Sequence, residues 1–290
     1  MTVRWRRLRH ESLARLRGAG VDDPEQELRW IVERASGRRA AEQVAALDQP
    51  ATDREAGYVD QMVARRAMGE PLQHVLGRWG FRTLDLLVDQ RVLIPRPETE
   101  VVAGLAIDAL AALDRTGIAV DLGTGSGAIA LSLAAERWPH VEVWATDASA
   151  DALAVARANL AGLGLRAAAV RLLEGDWFGA LPEGLRGRVD VVVSNPPYVP
   201  ATAPLPPDVA EWEPREALVP GPTGLEDIER IVTEAPGWLT GSGVLVLEIG
   251  QTQGAAAERL AVAAGFVQAT VHLDLTGRDR ALVARLADAR

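Results

Sequence analysis

The chain has 290 residues, of which 48% are hydrophobic and 24% are charged, proportions typical of a soluble globular protein with a buried core. A formal net charge of −9 argues against a protein that holds nucleic acid through many phosphate contacts. Cysteine is absent and all 31 basic residues are arginine, which excludes disulfides, zinc–thiolate sites, cysteine nucleophiles and catalytic lysines.

The first stretch of the chain predicts a small helical domain over residues 1–75. Apolar side chains recur there at helical spacing, for example Leu28, Ile31 and Val32. Asp23-Pro24 and Thr52-Asp53 are expected to begin helices, because Asp and Thr can accept hydrogen bonds from free backbone amides. The arginine-rich start lacks the apolar core of a signal peptide, and no run reaches the roughly 18 apolar residues of a membrane span. We therefore expect a cytoplasmic protein.

A β-hairpin linker is predicted over residues 76–97. Trp79–Phe81 and Leu84–Val88 are expected to form two short strands around a turn. Ile94-Pro-Arg-Pro97 follows, and two prolines at this spacing prevent a helix and favour an extended chain. Glu98 is expected to open the next helix.

Residues 98–290 alternate short apolar runs with helical stretches, which predicts a parallel sheet with helices on both faces. The expected strands are Ile118–Leu122, Val141–Thr146, Ala168–Leu173, Val189–Ser194, Val244–Ile249, Thr270–Leu273 and Ala281–Leu286. The last two flank residues 277–280 as an antiparallel hairpin, a feature that an ordinary dinucleotide-binding fold lacks.

A glycine-rich turn separates the first of these strands from an amphipathic helix. It consists of Gly123, Thr124, Gly125, Ser126 and Gly127. Glycines at such a turn let the backbone approach a nucleotide closely, and Asp147 ends the next strand, where a carboxylate can accept both ribose hydroxyls. The pattern is GxGxG and no basic residue follows to bind a pyrophosphate, which favours a nucleoside with an uncharged linker over NAD.

Further polar residues follow the strands at the same edge. Asp121 either receives the ammonium group of a bound methionine moiety or accepts hydrogen bonds from the glycine-loop amides. Asp176 follows the third strand, where a carboxylate can accept from the amino group of adenine. Trp177 either covers the adenine ring or belongs to the core. The four histidines lack metal-ligand spacing, so no metal site is expected.

The motif with the clearest chemical meaning is Asn195-Pro196-Pro197-Tyr198, which follows the fourth strand at the ligand-binding edge. An amide nitrogen is a poor nucleophile because its lone pair is delocalised. The Asn195 side-chain oxygen and the Pro196 carbonyl can each accept one N–H of such a group, and the two prolines hold both acceptors in place. These bonds strengthen as positive charge develops on the nitrogen. Tyr198 supplies a flat face and a hydroxyl that can orient the substrate.

These motifs together resemble the HemK/PrmC family, the release factor glutamine methyltransferases, nearly end to end. The resemblance is carried by Gly69-Glu70-Pro71, Leu93–Glu100, Asp121–Ile129, Asp176–Phe178, Val193–Tyr198, Glu213-Pro214 and Leu247–Gly250. It implies an α/β fold: a class I, Rossmann-like, seven-stranded methyltransferase domain over residues 98–290. A helical domain that docks the substrate and a hairpin linker precede it.

The resemblance also implies the reaction, which is transfer of a methyl group from S-adenosylmethionine to the glutamine of the Gly-Gly-Gln loop in peptide chain release factors. Gly123–Gly127, Asp147, Trp177 and Asn195 would contact the cofactor, to which the strand-end positions add Asp121 and Asp176. Asn195–Tyr198 would hold the glutamine, with Asn195, Pro196 and Tyr198 as the catalytic residues. We expect a monomer that binds neither nucleic acid nor membrane.

Three alternatives remain open. A ribosomal-protein glutamine methyltransferase shares Asn-Pro-Pro-Tyr, but it typically has a Pro-Arg-Ser-Pro stretch where this chain has Ile94–Thr99. A DNA adenine methyltransferase must also align a nitrogen whose lone pair is delocalised, but the acidic composition argues against this alternative. A non-catalytic binding module is disfavoured by the intact glycine loop and Asn195.

Overall fold

The computed structural model describes residues 3–287, which form two compact units. One unit contains the described residues up to Arg78 together with Pro206–Trp212, and the other contains Trp79–Leu205 and the described residues from Glu213 onward. No helix within residues 3–287 is both long and apolar enough to cross a membrane.

The helices of the described chain are α1 (Trp5–Gly18), α2 (Pro24–Ser36), α3 (Ala40–Ala45), α4 (Asp53–Ala67), α5 (Leu72–Leu76), α6 (Pro97–Ala111), α7 (Ala128–Arg137), α8 (Ala150–Ala161), α9 (Pro207–Trp212), α10 (Glu226–Glu234) and α11 (Gly254–Ala263). The strands are β1 (Arg78–Phe81), β2 (Leu84–Leu87), β3 (Gly117–Leu122), β4 (Val141–Asp147), β5 (Val170–Glu174), β6 (Val189–Ser194), β7 (Leu239–Glu248), β8 (Gln268–Leu273) and β9 (Asp279–Arg285).

The first unit is helical and has its own apolar core. The predicted helix starts are confirmed: Asp23 accepts a hydrogen bond from the amide of Gln26, and Thr52 accepts one from the amide of Glu55, each at 3.2 Å. These caps satisfy amides that the first helical turn leaves free. The core is built from apolar side chains of α1, α2 and α4, including Leu16, Leu28, Ile31, Val59 and Val63.

The second unit contains the hairpin β1–β2 from Trp79 onward and a seven-stranded sheet in the order β5-β4-β3-β6-β7-β9-β8. The strands from β3 to β7 run parallel, whereas β9 is antiparallel to both β7 and β8. The predicted fold class, a class I methyltransferase sheet closed by an antiparallel hairpin, is confirmed.

Helices cover both faces of this sheet because successive strand residues point to opposite sides. Ala119 and Val191 belong to the apolar cluster that includes α6 and α7, while Val120 and Val192 belong to the cluster that includes α10 and α11. Leu122, at the end of β3, pairs with Thr146 near the end of β4 and with Ser194 at the end of β6. The three strands therefore end at one level. The loops that follow these three strands therefore meet at one edge.

Several element boundaries differ from the sequence prediction, most of them by one or two residues. Helix α6 begins at Pro97, one residue before Glu98, since proline is well suited to the first helical position. Strand β5 begins at Val170, because Gly164–Ala169 form a 3-10 helix. Strand β7 begins at Leu239, whose pairing with Val189 extends the strand across glycines that local propensity disfavours.

Candidate functional site

The glycine-rich loop leads the chain from β3 into α7. Gly123, Gly125 and Gly127 all have positive φ, at 68°, 56° and 85°. The amide of Thr124 donates to the carbonyl of Thr146 at 2.9 Å, which fixes the loop against the end of β4. A side chain on Gly123 would lie 3.1 Å from the indole of Trp177, so glycine lets that ring lie directly over the loop.

Asp147 closes the side of the loop at the end of β4. One carboxylate oxygen accepts from the amide of Gly125 at 2.8 Å, and the other accepts from the amide of Ser149 at 2.9 Å. Burial raises the pKa of this carboxyl, while the two amides oppose the shift. Each oxygen has a second acceptor position, so the side chain can bind a diol while it holds the loop.

Asp121 lies behind the loop and is not among the residues that line the pocket. Its Oδ2 atom accepts from the Thr124 hydroxyl at 2.6 Å and from the amide of Ala130 at 3.0 Å. Its Oδ1 atom is buried without a hydrogen-bond partner among the described residues. Burial, the largest effect, raises the pKa of Asp121 to about 7. The donors to Asp121 are therefore a hydroxyl of the loop and an amide of α7, and not the glycine-loop amides that the sequence suggested.

The raised pKa of Asp121 predicts a specific pH dependence of stability. Between about pH 4 and pH 7 the folded chain keeps a proton on Asp121 that the unfolded chain has released, so the free energy of unfolding falls by about 1.4 kcal/mol per pH unit as pH rises. Asp121→Asn should lose that part of the slope. Urea unfolding of both proteins without ligand, at about pH 5 and pH 6.5, measures the difference. Equal slopes would contradict the prediction.

Asp176 and Trp177, which follow β5, differ in solvent exposure. Asp176 is exposed and its carboxylate is paired with Arg230, at 2.7 and 3.0 Å. Trp177 is partly buried, has a positive φ of 48°, and lines the pocket. Its indole donates a hydrogen bond to Asp227 of α10, whose pKa is raised chiefly by burial. Asp227 and Arg230 were not identified from the sequence, because nothing local distinguishes them from the solvated face of a helix.

The Asn-Pro-Pro-Tyr segment begins where β6 ends. The hydroxyl of Ser194 donates to the carbonyl of Leu122 at 2.7 Å, which ties the segment to β3. Asn195 and Pro197 line the pocket, whereas Pro196 and Tyr198 are not among its lining residues. Gln253 donates to the carbonyls of Tyr198 and Gly224, both at 3.0 Å, and so fixes the far end of the segment.

The hydroxyl of Tyr198 is turned toward β7. It lies 3.1 Å from Glu248 and 3.3 Å from Arg280. Burial and the charge of Glu248 raise the pKa of Tyr198, so the hydroxyl stays protonated and donates to the carboxylate. This hydroxyl, expected from the sequence to orient the substrate, is engaged with Glu248 in the structure.

Two further residues hold loops around the pocket. Glu213 accepts from the amide of Ile94 at 2.9 Å and pairs with Arg96, which ties the proline-rich end of the linker to residues 213–217. Asn159 of α8 bonds both backbone groups of Leu87 and the carbonyl of Ser126, at 2.7 to 3.1 Å. Glu213 lies in a stretch that resembles the family. Asn159 lies in an ordinary helical sequence that gives no signal.

A single pocket of about 310 Å³ contains most of the predicted site residues. Of these, its lining includes Gly123, Thr124, Gly125, Ser126, Asp147, Asp176, Trp177, Asn195 and Pro197, and it does not include Gly127. The acidic side chains of the lining are Asp147, Asp176, Glu216 and Asp227, against the basic Arg91 and Arg230.

Both arginines of the lining are already paired, Arg91 with Asp89 and Arg230 with Asp176. The pocket is therefore suited to a cationic nucleoside ligand and poorly suited to a polyphosphate. Among residues 3–287 no group of His, Asp or Glu side chains is arranged to hold a metal ion.

Comparison with known proteins identifies relatives along nearly the whole chain. A family model described as PrmC N-terminal domain matches residues 7–77, and one described as methyltransferase small domain matches residues 102–205. The release factor glutamine methyltransferase of Cereibacter sphaeroides is 41% identical over 280 residues, covering 95% of this chain and 96% of that protein. The enzyme of the same name from Moorella thermoacetica is 43% identical over 277 residues, covering 94% and 95%.

A solved structure of lower identity shares the fold. The hMettl16 catalytic domain in complex with MAT2A 3'UTR hairpin 6 aligns with a TM-score of 0.53 at 16% identity, covering 82% of this chain and 83% of that one. At this identity the likeness concerns the architecture of the sheet and its helices.

Proposed function

This chain belongs to the release factor glutamine methyltransferase family, and from that premise we propose that it methylates the side-chain amide nitrogen of the Gly-Gly-Gln glutamine in peptide chain release factors, with S-adenosylmethionine as the methyl donor. The observation that carries the proposal is that Asn195 lines the same pocket as the glycine loop and Asp147. An acceptor for an amide N–H and a nucleoside site thus share one cavity.

The cofactor fits the residues of this pocket. The backbone of Gly123–Gly127 would follow its length, Asp147 would accept the ribose hydroxyls, and Trp177 would cover the adenine. When bound, S-adenosylmethionine supplies an electrophilic methyl group on a positively charged sulfur. The acidic side chains of the pocket favour this positive charge. Arg91 and Arg230 repel it less, because each is paired with a carboxylate.

The residues after β6 orient the substrate amide. Asn195 Oδ1 and the Pro196 carbonyl accept its two N–H groups, and Pro196-Pro197 hold these acceptors in a rigid turn. Both hydrogen bonds strengthen as the nitrogen gains positive charge, so they stabilise the transition state more than the ground state. No strong base is required beforehand, because the nitrogen loses its proton readily only after it has gained the methyl group.

Because the substrate is itself a protein, docking and catalysis are assigned to different parts of the chain. We assign docking of the release factor to the helical residues 1–75, with residues 76–97 as the linker and residues 98–290 as the catalytic part. Because release factors act in translation, the reaction belongs to the cytoplasm. The chain acts as a monomer on this proposal, and it needs neither nucleic acid nor membrane.

The proposal is tested by incubating the purified full chain with methyl-labelled S-adenosylmethionine and a panel of substrates. The panel contains release factors, ribosomal protein and DNA with target adenines. We expect label in a release factor, and peptide mapping should locate one methyl group on the glutamine of Gly-Gly-Gln. Label found only in ribosomal protein or only in DNA would reject the proposal in favour of the corresponding alternative.

Cofactor binding has its own prediction. Asp147→Ala should weaken S-adenosylmethionine binding by about 1.5 to 3 kcal/mol, because it removes hydrogen bonds to a charged group and releases the amide of Gly125. Calorimetry on folded protein measures the change. Asp190→Ala is the matched control, since Asp190 also accepts from a backbone amide, that of Ile118, but does not line the pocket. Unchanged affinity in Asp147→Ala would remove this residue from the site.

A further inference from the structure

A network of hydrogen-bonded polar side chains extends from Asn195 into the sheet. The hydroxyl of Thr99, in the first turn of α6, lies 3.4 Å from Asn195 Nδ2 and 2.7 Å from Glu248 Oε2. The other carboxylate oxygen, Oε1, lies 3.1 Å from the Tyr198 hydroxyl. Thr99 and Glu248 are almost fully buried, with 4% and 1% of their surfaces exposed. Glu248 therefore contacts, through Thr99 or directly, both ends of the Asn195–Tyr198 segment.

Each hydrogen bond in this network has a fixed direction from donor to acceptor. A carboxylate oxygen without a proton only accepts, so the single hydroxyl proton of Thr99 is directed at Glu248. The Thr99 oxygen is then left as an acceptor for Asn195, and only the Nδ2 atom of an asparagine amide can donate. The Oδ1 atom of Asn195 must therefore point away from Thr99.

The Glu248 carboxylate is surrounded by two hydroxyl donors and a guanidinium. The Tyr198 and Thr99 hydroxyls both donate to its carboxylate, and the guanidinium of Arg280 lies 4.0 Å from Oε1. Arg280 is held in turn by Asp274, at 3.4 Å. Burial raises the pKa of Glu248, and the contacts with Thr99, Arg280 and Tyr198 oppose that shift. The direction of the Thr99 hydrogen bond requires only that Oε2 carry no proton.

We propose that Thr99 and Glu248 act as positioning residues that set the orientation of the Asn195 side-chain amide, so that Oδ1 and not Nδ2 is presented to the substrate glutamine. This inference rests on the proposed function. The two ends of an asparagine amide have nearly the same shape, so packing alone selects poorly between them. With the opposite orientation, Nδ2 would face the N–H groups of the substrate and one of the two acceptors would be lost.

The test compares Thr99→Val with Thr99→Ser in the full chain. Valine keeps the size of threonine but cannot accept from Asn195, whereas serine keeps the hydroxyl. We expect Thr99→Val to lower kcat on a release factor at least about tenfold, with S-adenosylmethionine affinity within about twofold of wild type. Thr99→Ser should recover kcat to within about threefold. Thr240→Val is the matched control, because its buried hydroxyl has no hydrogen-bond partner among the described residues and Thr240 does not line the pocket.

A double-mutant cycle separates positioning from direct contact, since Thr99 itself lines the pocket. If Thr99 acts through Asn195, adding Thr99→Val to Asn195→Ala should change kcat by less than about twofold. If the two losses multiply instead, Thr99 acts by another route and the proposal is wrong. Glu248→Gln, which preserves volume but can donate to Thr99, should likewise lower kcat and add little in the Asn195→Ala background. It provides the same test if Thr99→Val does not fold.

These outcomes test the positioning role of Thr99 and Glu248 separately from the proposed function. A wild-type chain that methylates no release factor would reject the function itself. A wild-type chain that methylates a release factor, with Thr99→Val and Glu248→Gln as active as wild type, would reject only the positioning role of Thr99 and Glu248.

Discussion

Asn195→Ala is expected to lower the turnover number on a release factor by at least about 100-fold. Asn195 provides one of the two acceptors for the substrate amide, and misalignment of a reacting atom costs roughly that factor in rate. The loss of a contact that strengthens with developing charge adds to it. Because the Pro196-Pro197 turn, the glycine loop and Asp147 are left in place, cofactor affinity should change by no more than about tenfold.

The measurement is single-turnover methyl transfer by folded protein, with cofactor affinity determined separately by calorimetry. Gln251→Ala is the matched control, since it removes an exposed amide side chain that does not line the pocket. Turnover near that of wild type in Asn195→Ala would reject the proposed alignment mechanism. The family assignment would stand, because it depends on the whole chain.

Gly224→Ala is expected to destabilise the chain by about 3 kcal/mol and to lower turnover at least about tenfold. Gly224 has a φ of 79°, and a side chain there would lie 2.4 Å from the carbonyl oxygen of Tyr198 and 3.0 Å from the backbone nitrogen of Pro200. The left-handed backbone costs about 1 to 2 kcal/mol for alanine, and overpacking adds about 1 to 3 kcal/mol. Relief of the clash would shift the end of the Asn195–Tyr198 segment, which explains the loss of activity.

Gly187→Ala separates these two effects. Gly187 has a φ of 67° in an exposed turn, and a side chain there would meet no atom within 4 Å. It should show the cost of the backbone conformation alone, with unchanged turnover. Urea unfolding and methyl transfer measured on both variants make the comparison. Equal destabilisation of the two variants, or full activity in Gly224→Ala, would show that the contact with Tyr198 does not matter.

The sequence by itself determined the fold class and the general position of the site. Short apolar strands alternating with helices specify a parallel sheet, because strand and helix periodicities are local properties of the chain. The glycine loop, Asp147 and Asn195 each follow a strand directly. Since the ends of neighbouring parallel strands lie at one edge, their arrangement around one pocket follows from that topology, and the structure places all three in its lining.

Tertiary structure alone decided which side chains support those residues. Glu248 and Thr99 are 149 positions apart in sequence, and Gln253 reaches Tyr198 across 55 positions. Asp121 and Asp147 both follow the pattern of a strand-end carboxylate, yet one is buried behind the loop and the other faces the pocket. Side-chain partners of this kind depend on long-range packing, which brings distant segments together and buries their polar groups. Sequence periodicity records which face of an element is buried, and it contains no information about which polar group lies opposite.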